Sequence, residues 1–183
     1  MGLKEDLAQE LEGTRQNFHH LLDSVPEALY THRSANPTWT IGDVLYHLTI
    51  GLPALRFEIW MIRSTPWMFK TLNDTTSQIF NWGNALFARQ PKRITRQRLL
   101  KAYEAGHAGL ISSLRRVREG DWGKSVIYPE AFVSELAGVV TVERLFHYVT
   151  LHFEVHEEQI KSAIRSIRGL APDGASVYAD APE

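Results

Sequence analysis

Two histidines set four residues apart, His152 and His156, carry the first chemical signal of this 183-residue chain. They stand in the run His147-Tyr-Val-Thr-Leu-His-Phe-Glu-Val-His-Glu-Glu-Gln-Ile160. Four residues make about one helical turn, so on a helix both imidazoles project from the same side. At roughly 100° per residue, Val142, Leu145, Phe146, Val149, Phe153, Ile160, Ile164 and Ile167 form one apolar face. His156 falls near the middle of that face and His152 near its edge. Polar rings aimed at a core need partners. A lone histidine in such a place is ordinarily met by one hydrogen bond, whereas a pair at this spacing can share a divalent metal ion that takes one nitrogen from each. The pattern is not the protease motif His-Glu-x-x-His, because Phe153 follows His152. Glu154 points roughly 200° away on the helix, toward solvent, and supplies no general base.

A metal needs more than two protein ligands. The best third candidate is His47, on the flank of an earlier apolar face, with Gly51 one turn on leaving room beside its ring. The chain has no cysteine. That excludes a disulfide framework, a Cys-ligated zinc and a thiol nucleophile of the protein itself. Any metal must use His, Asp, Glu or water, and any thiol chemistry must use the thiol of a cosubstrate.

Charge narrows the partners. With 20 basic and 21 acidic side chains the net charge is −1, which argues against bulk attraction to nucleic acid or to an anionic membrane. The cluster Arg89, Lys92, Arg93, Arg96, Arg98 and Lys101 is broken by Pro91 and apolar residues, and reads as a solvated loop and helix start. The opening Met-Gly-Leu-Lys-Glu-Asp carries no apolar signal region. No run approaches the ~18 apolar residues that would span a membrane. The expectation is a cytoplasmic protein with neither membrane nor nucleic-acid partners.

Four amphipathic segments must position the histidines. Leu3, Leu7, Leu11, Phe18, Leu21, Leu22, Val25 and Leu29 recur at helical spacing over residues 3 to about 30, with Gly13 and Pro26 weakening the two ends. After a loop at 32–37, Thr40 is a good N-cap, with Asp43 as the returning acid of a capping box. That helix carries Ile41, Val44, Leu45, His47, Leu48, Leu52 and Leu55 to about Arg63, with Pro53 predicting a kink near Thr49. Residues 64–94 are irregular, and their aromatics Trp67, Phe69 and Trp82 could roof a cleft. Thr95 caps a helix over about 96–118. Residues 119–140 form a connection in which Val126-Ile-Tyr could be briefly extended. Thr141 caps the last helix, about 142–168, which Gly169 ends. The pattern predicts one all-α domain over residues 1–169, a four-helix bundle, with a loose tail over 170–183.

Trp39-Thr-x-x-Asp43-x-x-x-His47 on the second helix, with His152-x-x-x-His156-x-x-Gln159-Ile160 on the last, resembles the DinB/YfiT-like family of metal-dependent helical bundle proteins. The resemblance covers roughly residues 3–168. It implies an up-down-down-up topology and frequent homodimers. It also implies that His47, His152 and His156 bind a divalent transition metal such as zinc or nickel. Three neutral imidazoles would leave coordination positions open, as in a catalytic rather than a structural site. Tyr148 and Gln159, on the adjoining flank, are candidates to orient the rings.

Relatives in this fold include transferases and isomerases that use a low-molecular-weight thiol. The resemblance therefore implies a small-molecule transferase or hydrolase, with a thiol cosubstrate as one option, and leaves the catalytic residues unknown. The rival reading is a non-catalytic metal-binding or dimerisation bundle with a stress-related role. A di-iron carboxylate bundle would need two Glu-x-x-His motifs, and only Glu104-x-x-His107 fits. His147, His19, His20 and His32 lack a common face with the pair and read as surface or packing residues.

Overall fold

The computed structural model describes residues 2–64, 94–128 and 136–169. Four long helices dominate them: α1 (Leu3–Ser24), α2 (Ile41–Ser64), α3 (Arg96–Arg115) and α4 (Val142–Ile167). Each of α1 and α2 packs against both α3 and α4.

Pairs of touching residues order the helices. Across α2 and α3 the numbers rise together, Leu52 with Gly106 and Arg56 with Gly109. They also rise together across α1 and α4, Glu10 with His147 and Thr14 with Thr150. They run in opposite senses across α1 and α3, where Arg15 meets Glu104 and Phe18 stacks on Tyr103 with ring centroids 3.8 Å apart. The sense is again opposite across α2 and α4, where His47 meets His156 and Gly51 meets His152. An up-down-down-up chain path produces this order. The small side of α3 is required: a Cβ on Gly106 would stand 2.9 Å from Leu52 Cβ, so these two helices approach closely only because residue 106 lacks one.

The caps sit where the sequence places them. The Thr40 amide donates to Asp43 Oδ2 at 2.8 Å while the Asp43 amide donates to Thr40 Oγ1 at 3.1 Å, a reciprocal capping box. Thr95 accepts from the Arg98 amide at 3.4 Å, and Thr141 from the Arg144 amide at 3.1 Å. α2 continues past Pro53 to Ser64. Gly169, with φ +67°, follows the end of α4.

Two expectations need correction. The first helix stops at Ser24 rather than near residue 30. A residue before proline is disfavoured in the α region, and Val25, which precedes Pro26, leaves the helix at φ −98° and ψ 109°. Residues 27–29 then form a separate 3₁₀ turn. The connection after α3 also holds more order than one extended piece. β1 (Ser125–Tyr128) pairs antiparallel with β2 (Gly138–Thr141), in register from Ser125 opposite Thr141 to Tyr128 opposite Gly138. Thr141 is both the last residue of β2 and the N-cap of α4, so the hairpin feeds directly into the helix that bears the histidine pair.

Asp121 ties the hairpin to the bundle: its carboxylate accepts from Arg63 Nε at 3.1 Å and pairs with Lys124 Nζ at 2.8 Å. These cations, with the Arg118 amide, hold the Asp121 carboxyl far below the usual carboxylate range. The residues expected to roof a cleft, Trp67, Phe69 and Trp82, and the tail 170–183 lie outside the described residues.

Candidate metal centre

His47 rides on α2, and His152 and His156 ride on α4, one turn apart. The antiparallel packing of α2 on α4 brings the three rings together. Each offers a ring nitrogen, and these nitrogens all lie within 4.8 Å of one another. The ring centroids are 4.9 Å apart for His47 and His152, 4.8 Å for His47 and His156, and 4.6 Å for His152 and His156. Among the described residues this is the one group of three or more histidine, aspartate or glutamate side chains gathered closely enough to hold an ion.

His47 Nε2 and His152 Nε2 are 2.9 Å apart, so one donates its proton to the lone pair of the other. Nitrogens bound to one tetrahedral ion at about 2.0–2.1 Å stand ~3.3 Å from each other. The pair therefore needs only a small parting for an ion to take the place of that proton, and the donor set fits a divalent transition metal.

Electrostatics favour the neutral form of His47 and His152. Burial, reinforced by the neighbouring His156, lowers His47 to about 4. Burial, with His156 and His47 adding to it, lowers His152 well below the ordinary histidine value. Neutral imidazole is the form that ligates metal.

The surroundings are aromatic and close. Trp39 meets His47 edge-on at 4.9 Å and lies nearly parallel to His156, with centroids 6.4 Å apart and planes inclined by 14°. Tyr148, one turn before His152, packs its ring 5.5 Å from that histidine. Gln159 Oε1 lies 2.8 Å from His156 Nδ1, and the Gln159 amide group donates to Ser34 Oγ at 3.3 Å. Gly51 does leave room as expected, but for His152 rather than His47: a Cβ at residue 51 would stand 3.2 Å from His152 Cε1.

The remaining histidines stand elsewhere. His147 Nδ1 pairs with Glu10 at 2.7 Å, and His19 pairs with Glu104. His107 lies 3.9 Å from Glu12. Arg15 donates to both Glu12 and Glu104, so a cation already occupies the middle of that acidic group, and no di-iron arrangement forms around Glu104 and His107. No local pattern could find the Ser34 contact of Gln159, since 125 residues separate the two.

No helix among the described residues is long and apolar enough to cross a membrane. No curated protein matches the chain. The crystal structure of a mycothiol-dependent maleylpyruvate isomerase superposes with a TM-score of 0.61 at 14% sequence identity, covering 87% of this chain and 61% of that one. At that identity the likeness carries the fold alone, and this chain spans about 61% of that protein's length. The profile of the DinB superfamily matches residues 10–160, a stretch that includes α2, most of α4 and all three clustered histidines, and the chain belongs to that superfamily.

Proposed function

We propose that His47, His152 and His156 hold one divalent transition metal ion, zinc or nickel, and that the protein is a small-molecule transferase or hydrolase working at that ion. The observation that carries this reading is the convergence of three ring nitrogens within 4.8 Å, from two helices, with no carboxylate among them. Three imidazoles leave at least one coordination position for a substrate or water, the arrangement of catalytic rather than structural sites. A bound ion of net charge near +2 would lower the pKa of a water or thiol and polarise a carbonyl. The protein's part is to hold His47 and His152 neutral by burial, to fix His156 through Gln159 and to shield His47 and His156 with Trp39.

A low-molecular-weight thiol cosubstrate belongs to the same proposal. Its support is that the solved protein of similar fold is mycothiol-dependent; the lack of cysteine is compatible with it and equally with hydrolysis. A homodimer and a cytoplasmic location complete the reading. Phe57 and Trp60, stacked 5.7 Å apart and more than half exposed on α2, are apolar surface that a dimer could cover.

The test is metal content by inductively coupled plasma mass spectrometry on tag-free protein, for wild type beside His47→Ala and His152→Ala. About one equivalent of a divalent transition metal in wild type, lost in both variants, is the expected result. No metal in wild type, with none taken up on reconstitution, would leave a bundle whose histidines merely pack.

A further inference from the structure

His156 is the ligand candidate whose proton is pinned by the protein. Ser34 is buried, and its one hydroxyl proton is spent within its own turn: Oγ donates to the Asn36 carbonyl at 3.2 Å and accepts from the Asn36 amide at 3.1 Å. What remains is an acceptor lone pair, so the group of Gln159 that faces Ser34 at 3.3 Å must be its NH₂. That choice turns the Gln159 carbonyl toward His156, 2.8 Å from Nδ1. A carbonyl can only accept, so Nδ1 must carry a proton, and in the neutral ring Nε2 then presents its lone pair.

The same serine belongs to the loop that carries Trp39. The Ser34 amide donates to the Trp39 carbonyl at 2.9 Å, and the Trp39 amide donates to the Asn36 carbonyl at 3.2 Å. Asn36 Oδ1 accepts from the Thr38 amide at 2.9 Å and from the Thr38 hydroxyl at 2.8 Å, closing the turn. One residue past Trp39 the chain enters the Thr40–Asp43 capping box and then His47. A single line of hydrogen bonds therefore runs from His156 on α4 through Gln159 and Ser34 to the loop that walls the site and starts α2.

We propose that Ser34 and Gln159 are positioning residues that hold His156 in the Nδ1–H tautomer and lock the Trp39 loop against it. The consequence for metal affinity rests on the three-histidine reading above, whereas the tautomer does not. Outer partners of this kind, when removed, typically cost ~10–100-fold in metal affinity.

The experiment reads both. Long-range ¹H–¹⁵N correlation spectra of the uniformly labelled protein report which nitrogen of each histidine is protonated, and zinc affinity is measured by competition with a chromophoric chelator. Wild type is expected to show Nδ1–H at His156. Gln159→Leu is expected to shift His156 toward Nε2–H and to weaken zinc binding by 10–100-fold. Gln159→Glu keeps an acceptor against Nδ1 and is expected to keep the tautomer, which a purely steric role for residue 159 would not require. Ser34→Ala is expected to blur the tautomer with a smaller loss of affinity. Should Gln159→Leu not fold, Gln159→Glu and Ser34→Ala decide the matter. An Nε2–H signal at His156 in wild type, or an unchanged tautomer in Gln159→Leu, overturns the proposal whether or not zinc binds. A correct tautomer without zinc uptake would overturn the metal reading alone.

Discussion

Gly51 on α2 lies directly against the His152 ring of α4, so close that a Cβ at residue 51 would stand 3.2 Å from Cε1 and 3.6 Å from Nδ1. Glycine in a helix interior ordinarily costs about 1 kcal/mol relative to alanine. Here that cost is offset by letting a ring from the opposing helix settle onto bare backbone. Gly51→Ala is therefore expected to move two properties in opposite directions. Helix propensity should raise thermal stability by up to about 1 kcal/mol, less what the tight contact takes back. The displaced imidazole should lower zinc affinity several-fold. Calorimetric unfolding beside chelator competition checks both, and a variant with unchanged zinc affinity would show that His152 does not need its place over residue 51.

How much of this was legible in the sequence depends on the reach of each interaction. Caps are local, so Thr40, Thr95 and Thr141 could be read as helix starts from three or four residues of context. The apolar stripe of α4 and its His152–His156 spacing are equally local. Pro26 was visible too, yet its effect was placed too late, because the residue it restricts is the preceding Val25. The β2 strand was illegible: Gly138-Val-Val-Thr is too short to show a period, and its partner is set by register across a turn. The line from His156 to Ser34 and the burial of Glu58 against Tyr128 were hidden because each joins residues far apart in the chain. The place of His47 on the flank of the α2 apolar face makes it a candidate third ligand, and the family resemblance strengthens its link to the pair.

The lowered pKa of His47 gives a signed prediction. Its folded value of about 4 lies below the ordinary 6.5, so as pH falls through 6.5 the unfolded chain takes up a proton that the folded chain refuses. Stability should fall by up to about 3 kcal/mol between pH 6.5 and pH 4 from this group, and not further below. An NMR titration of the metal-free protein should place the His47 midpoint near 4, well below that of a free imidazole. A midpoint near 6.5 would mean that the ring is wetter than its packing implies.

The capping box at the start of α2 positions His47 two turns on. Thr40→Ala removes the acceptor of the Asp43 amide and is expected to cost about 1 kcal/mol on urea denaturation. Asp43→Asn keeps an oxygen for the Thr40 amide and should cost less. Equal losses in the two variants would show that the charge of Asp43 near the helix N-terminus contributes as much as the Thr40 side-chain bond.

Glu58 poses the opposite electrostatic problem at the other end of α2. It is only 8% exposed and has the Tyr128 hydroxyl as a partner, which donates to Oε2 at 3.0 Å and so anchors β1 to the bundle. Burial raises its pKa to about 7, against the partial relief that the tyrosine bond gives the charged form. The folded protein thus holds a proton that the unfolded chain releases above pH 4.5, and stability from this group is present at low pH and lost as pH rises through 7. The expected loss is about 3 kcal/mol across that window. Glu58→Gln keeps an acceptor for Tyr128 without the charge, so it should be nearly neutral at pH 4.5 and clearly more stable than wild type at pH 8. Tyr128→Phe should do the reverse at high pH, because it strips the carboxylate of its donor and leaves a buried charge with less hydrogen bonding. Urea midpoints for the three proteins at pH 4.5 and 8 read this directly. Parallel pH dependence in wild type and Glu58→Gln would mean that Glu58 stays ionised in the fold, and that its burial is offset by contacts stronger than the tyrosine bond.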